Sequence, residues 1–142
     1  MHSLLSQVLM VHAEGRPDLF RAGTRKYTDE ELLSIFSDDT HPVFVAVDGG
    51  RVLGHAFCEV QDFRGSNNMQ PYLSIYIDDI CVDEKSRGQH VGTALYQHVL
   101  AYARELGCYN VTLNVWTCNP GAQRFYEAMG MTPLKTCLEQ VL

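Results

Sequence analysis

The sequence predicts a single α/β domain over residues 1–142, built on a mixed sheet flanked by helices. Three patterns predict it. β-rich runs at 43–47 and 52–60 flank Asp48-Gly49-Gly50, the signature of an antiparallel hairpin. A strand-like run at 72–82 leads through a Gly-containing turn and a helical stripe to a second alternating run at 110–116. Strands joined by such a helical crossover run parallel. Helical patterns also precede the hairpin and follow the last alternating run. No internal repeat or composition break marks a second domain, and 142 residues suffice for one core.

Taken in order, Leu4, Leu5, Val8, Leu9 and Val11 suit a short amphipathic helix, broken at Gly15-Arg16-Pro17-Asp18. Thr28-Asp29-Glu30-Glu31 is a capping box, and the helix behind it is expected to hold Leu32, Leu33 and Phe36 on one side. Residues 62–70 are polar and loop-like. Ile75, Ile77, Ile80 and Val82 are apolar members of the long strand. Val91, Leu95, Val99, Tyr102 and Leu106 recur at helical spacing, and Gly107 closes that helix. Val111, Leu113 and Val115 alternate along the next strand. Asn119 is an N-cap, Pro120 takes the first helical position, and Gly130 follows the end. That helix carries Ala122, Phe125, Tyr126 and Met129. Residues 131–141 read as a final strand or two short ones.

Eleven Lys and Arg against 17 Asp and Glu leave a net charge of −6. This argues against a non-specific nucleic-acid binder, which needs a basic surface. It suits a cationic small-molecule partner, and equally suits plain solubility. The five cysteines (Cys58, Cys81, Cys108, Cys118 and Cys137) form no C-x-x-C pair. Their odd number and apolar settings argue against a disulfide framework or a metal site, and point to a reducing, cytoplasmic location. No apolar run is long enough to span a membrane, and the N-terminus lacks the basic cluster and cleavage site of a signal peptide.

Chemistry concentrates in Ile80-Cys81-Val82-Asp83-Glu84-Lys85-Ser86-Arg87-Gly88-Gln89-His90-Val91-Gly92-Thr93-Ala94-Leu95. A strand enters a turn containing Gly88 and Gly92, and a helix starts at once. Glycines there let backbone N–H groups converge on an anion, and the helix N-terminus adds its positive dipole end. The segment therefore reads as a phosphate site. It lacks the Lys-Ser/Thr of a P-loop and the G-x-G-x-x-G of a dinucleotide fold. What remains is Q-x-x-G-x-A at Gln89, Gly92 and Ala94, preceded by Arg87-Gly88.

This stretch resembles the coenzyme-A-binding motif of GNAT acetyltransferases. The surroundings make the resemblance specific. A strand ending I-C-V precedes it, a helix of fitting length follows, and after the strand N-V-T-L-N-V-W comes N-P-G-A-Q-R-F-Y-E-A-M-G-M. That last run is similar to the family's N-x-x-A-x-x-F-Y-x-x-x-G-F signature. The combined match covers residues 43–142.

The resemblance implies an acetyl-coenzyme-A-dependent N-acetyltransferase. Main-chain N–H groups of Gln89, His90, Val91, Gly92, Thr93 and Ala94 would hold the pyrophosphate. His90 stands where many relatives have Gly, and its backbone N–H can still donate. Arg87 is a candidate phosphate partner or a solvated surface residue. In the family two central parallel strands splay, and the pantetheine arm fills the gap, which implies backbone contacts from Ile80, Cys81 and Val82. The Cys81 thiol reads as packing, because the family transfers acetyl directly. Asn119 would cap its helix and also touch the cofactor. Tyr126 is the expected acid, donating to the leaving thiolate; the other reading of Phe125-Tyr126 is simply core.

Asp78 and Asp79 are unusual in mid-strand. Strict alternation puts them on opposite faces, unless a bulge re-aims one. They match an acidic pair of polyamine acetyltransferases. Either is a candidate base, acting directly or through water, or a holder of a second ammonium; the alternative is a strand-end charge paired with a neighbour. Acceptor specificity in the family comes from the early helices and their loop, here His12, Glu14, Arg16, Asp18, Phe20 and Tyr27. Glu14 and Asp18 are candidates to hold a cation. Tyr76, Asn114 and Trp116 are candidates to line the acceptor cleft.

The family opens with a strand before the first helix, whereas this sequence reads as starting inside that helix: either the start codon lies downstream of the true one, or this member dispenses with the strand, which would leave a sheet edge for a homodimer partner to cover. The leading expectation is acetylation of a small amine or polyamine in a ternary complex. A protein N-terminal or lysine acetyltransferase is the alternative within the class. A non-catalytic acyl-coenzyme A sensor, or a nucleotide-binding regulator, is the alternative outside it.

Overall fold

The computed structural model describes residues 1–142. Its elements are α1 (His2–Gly15), α2 (Asp29–Phe36), β1 (Val43–Asp48), β2 (Arg51–Asp62), β3 (Leu73–Val82), a short 3-10 turn (Glu84–Ser86), α3 (Val91–Glu105), β4 (Asn110–Leu113) and α4 (Pro120–Ala128). The sheet order is β1-β2-β3-β4, antiparallel except for the parallel β3–β4 pair. The first element is a helix, and β1 and β4 are the sheet's edges. No helix is long and apolar enough to cross a membrane.

Local chemistry explains the boundaries. Gly49 and Gly50 both adopt positive φ, 54° and 78°, which is what a two-residue hairpin between Asp48 and Arg51 demands. At α2, Glu31 N–H donates to Thr28 Oγ1 at 3.2 Å while Thr28 N–H donates to Glu31 Oε2 at 2.7 Å, closing the capping box. At α4, Ala122 N–H donates to Asn119 Oδ1 at 3.3 Å, with Pro120 in the first turn.

Two apolar clusters sandwich the sheet. Ala56, Cys58, Ile75 and Ile77 pack with Tyr96, Val99 and Ala103 of α3, and Tyr126 and Met129 of α4 border them. On the opposite face Phe57 packs with Leu5 of α1 and Leu32 of α2. Alternate β2 residues thus serve opposite layers.

The β2–β3 register slips once. Phe57 faces Asp79 and Cys58 faces Ile77, so Asp78 is an extra residue on β3. Without the slip, Asp79 would share the α3 face with Ile77. With it, Ile80 borders the α3 cluster, and Asp79 lies across from Phe57 on the α1–α2 side. Cys81 lies on that side too: its thiol donates to Leu4 carbonyl oxygen at 3.3 Å and ties α1 to β3.

Three expectations need correction. Residues 131–142 form no strand, and Leu134, Leu138 and Val141 are exposed. Strand propensity acts only where a partner edge is met, and here none is. β4 stops at Leu113 rather than reaching Trp116. On α2, Leu33 is 65 % exposed, and the inward residues are Leu32 and Ile35, which share a face at helical spacing as Leu32 and Leu33 cannot.

Two predictions follow from the packing. A Cβ on Gly54 would sit 2.7 Å from Cys81 carbonyl oxygen and 3.0 Å from Leu95 Cδ1. Gly54→Ala should therefore cost about 1–3 kcal/mol in urea unfolding, whereas a loss within about 0.5 kcal/mol would mean the strands yield there. Burial first, and nearby carboxylates second, push the Cys58 and Cys81 thiols up to about 12. At pH 8 the native chain should take up iodoacetamide at exposed Cys137 and not at Cys58 or Cys81, as read by peptide mass mapping.

Candidate active site

The parallel pairing of β3 with β4 covers Ser74–Ile77 against Asn110–Leu113 and then ends. Residues 78–82 of β3 continue beside β2 but have no strand on their other edge. A cleft of about 230 Å³ opens there, lined on one side by Ile77–Val82 and on the other by Leu113, Asn114, Val115 and Trp116. A second, mostly apolar slot adjoins it, between Ile80, Cys81, Val82, Gly92, Phe125 and Tyr126. Tyr126 lines both.

The phosphate-type turn closes the slot's far end. Gly88 and His90 both adopt left-handed backbone, φ 83° and 61°. His90 does so without a glycine's freedom, an uncommon but tolerated conformation for His. The first amide of α3 to bond backward is that of Ala94, to His90 carbonyl oxygen at 3.0 Å. The N–H groups of Val91, Gly92 and Thr93 therefore have no acceptor within the helix. Gly92 keeps the slot open: a Cβ there would touch Val82 Cγ2 at 3.4 Å and Phe125 Cζ at 3.5 Å. Arg87 and Asn119 reach the cleft lining, while Gln89 and His90 are exposed on the turn. An unpaired strand edge, an apolar slot and a free helix N-terminus fit an extended ligand that ends in phosphate.

At the other end sit the paired carboxylates. The bulge brings both near one ammonium: Lys26 Nζ lies 3.0 Å from Asp78 Oδ2 and 3.7 Å from Asp79 Oδ2. Tyr27 hydroxyl donates to the same Asp78 oxygen at 3.1 Å. Burial lowers the Lys26 pKa, but Asp79 and Asp78 together outweigh it, so the net shift is upward and the ammonium stays charged. Asp79 is buried beside His55, whose Nε2 lies 3.9 Å away. Both ring nitrogens of His55 lack a hydrogen-bond partner. Tyr126 is raised by burial first and by Asp79 second, which keeps its hydroxyl protonated throughout the neutral range.

His12 and Trp116 line the cleft on the carboxylate side, with Phe20 packed behind them. Phe20 meets Trp116 edge-on at 5.1 Å and His12 at 5.2 Å, and burial lowers the His12 pKa. Gly15 packs against Cys118, so the end of α1 abuts the segment after β4 with no room for a side chain.

Not every sequence candidate arrives. Glu14 and Asp18 are exposed and do not line the cleft. Arg16, two residues away, takes Asp18 through hydrogen bonds of 2.9 and 2.7 Å and reaches Glu139 at 2.6 Å. Tyr76 lies outside the lining; its hydroxyl accepts from Asn114 Nδ2 at 3.2 Å. Conversely, the sequence reading passed over Lys26 and His55. Neither belongs to a motif, and only the fold brings them to Asp79.

Comparison with known proteins agrees with this architecture. The model of the Acetyltransferase (GNAT) family matches residues 9–131. A probable glucosamine 6-phosphate N-acetyltransferase 2 of Oryza sativa subsp. japonica is 29 % identical over 114 residues, 72 % of this chain; the match spans 64 % of that protein's own length. The crystal structure of a mutant Bacillus halodurans protein superposes with TM-score 0.93 at 25 % identity, covering 99 % of this chain and 90 % of the other. An aminoglycoside N-acetyltransferase in complex with CoA shares the fold, with TM-score 0.69 at 17 % identity over 97 % of this chain and 88 % of its own. With the splayed parallel strands, the free helix start and the family match over most of its length, the chain belongs to the GNAT acetyltransferase family.

Proposed function

We propose that the chain transfers the acetyl group of acetyl-coenzyme A to the primary amine of a small molecule, by direct attack within a ternary complex. The observation that carries this reading is the continuity of the site. One cleft joins a narrow slot along the free edge of β3 to a buried carboxylate, and Tyr126 borders both parts.

Each residue has a role in this scheme. The amides at the start of α3, from Val91 to Thr93, would hold the pyrophosphate, helped by Arg87. The backbone of Ile80, Cys81 and Val82 would hold the pantetheine arm and supply an N–H to the developing oxyanion. Acetyl-coenzyme A supplies the acyl group already activated as a thioester. Asp79 takes the proton that the acceptor ammonium must lose before attack, directly or through a water. Tyr126, kept protonated, returns a proton to the departing sulfur. The aromatic wall of His12, Phe20 and Trp116, with α1 closing over it, favours a small acceptor over a peptide lying in an open groove. The glucosamine 6-phosphate and aminoglycoside enzymes among its relatives are named for amine-bearing small molecules.

Calorimetry tests the donor half. Acetyl-coenzyme A should bind with micromolar affinity, and Gly92→Glu should abolish it, because the longer chain fills the slot between Val82 and Phe125 and sets a carboxylate against the phosphates. Undiminished binding in the variant would place the donor elsewhere. For the chemical step, Tyr126→Phe should lower kcat on the order of 10²-fold or more with little change in donor affinity. Full turnover by this variant from pH 6 to 9 would remove Tyr126 from the acid role.

A further inference from the structure

The two carboxylates of the acidic pair are not equivalent. Asp78 is already occupied: its Oδ2 accepts from both Lys26 and Tyr27. Asp79 is 7 % exposed, borders the cleft, and has no hydrogen-bond donor. Its nearest side-chain nitrogens are Lys26 Nζ at 3.7 Å and His55 Nε2 at 3.9 Å, and neither is close enough to bond. A buried carboxylate without a donor is costly unless something supplies one. The Asp79 carboxylate opens on the cleft, where water or the ammonium of a bound ligand can donate to it.

Resting on the acetyltransferase reading above, we propose that Lys26 is a specificity-determining residue: a built-in cation that fills the place of a second acceptor ammonium, so that the site selects amines with one positive charge over diamines. The charges support this. Two carboxylates facing one ammonium leave one negative charge, enough for one incoming cation. A diamine threading the cleft would bring its second ammonium toward Asp78, where Lys26 already sits and repels it. The Lys26 side chain is 37 % exposed and lies in the irregular segment between α1 and α2, so its replacement leaves the core untouched. This reverses what the acidic pair suggests when read alone, which is a polyamine site.

Calorimetric titration of the full chain with 1,4-diaminobutane and with 4-aminobutan-1-ol tests the proposal. The probes have equal length and differ in the second charge. The wild-type protein should bind the amino alcohol at least as tightly as the diamine. Lys26→Gln should shift the affinity ratio toward the diamine by about tenfold, or about 1.4 kcal/mol, and Lys26→Arg should keep the wild-type ratio. An unchanged ratio in Lys26→Gln overturns the proposal. So does a wild-type protein that prefers the diamine, or failure of every variant to bind either probe. Turnover with acetyl-coenzyme A is measured separately. Binding that shifts as expected without any acetylation sinks the enzymatic reading and leaves the role of Lys26 standing; acetylation with an unshifted ratio does the reverse.

Discussion

The single extra residue at Asp78 governs the site. A strand with strict alternation would drive the Asp79 carboxylate into the largely apolar layer formed by Ile75, Ile77 and α3. The slip in register turns it to the other face. It also places consecutive acidic side chains within reach of one lysine. The last β3–β4 pair is Ile77 with Leu113, immediately before the slip, so bulge and strand separation occur at the same level of the sheet. Bulges bend and twist the strand that carries them. One local irregularity thus accompanies both the gap along the strand and the carboxylate beside it.

The opposite end of the cleft rests on backbone rather than side chains. Gly88 and His90 turn the chain through left-handed conformations so that α3 starts with its amides directed outward. Such a site holds an anion by geometry and dipole, and depends little on the side chains of Gln89, His90 or Thr93. The carboxylate end is built the other way, from charged and aromatic side chains contributed by α1, the following loop, β3 and the segment after β4.

That difference explains how much was legible in the sequence. Short-range signals survived folding: the Gly49-Gly50 hairpin, the Thr28 capping box, the Asn119-Pro120 helix start and the Gly-bearing turn before α3 all stand where the chain order places them. These are set by neighbours in sequence. The bulge at Asp78 is a property of how β3 pairs with β2, so Asp78-Asp79 could only be marked as a pair whose faces depend on an irregularity. Lys26 and His55 come from different elements and meet only in the fold. Glu14 and Asp18 fitted by carboxylate type but lie outside the cleft lining, Asp18 held by its local pairing with Arg16. The apolar residues after Gly130 carried a strand pattern but no partner.

The loop that carries Lys26 bears little of the framework. Residues between α1 and α2 belong to no sheet ladder, and the layers on both faces of the sheet close without Lys26. Under the proposed function, selectivity and thioester handling would therefore sit on separately replaceable stretches of chain. On that proposal, change in the 16–27 segment would retune which amine is accepted while the strand gap and helix start stay as they are. A single scaffold can in this way diversify its acceptors by drift in one surface loop, without passing through intermediates that have lost the donor site.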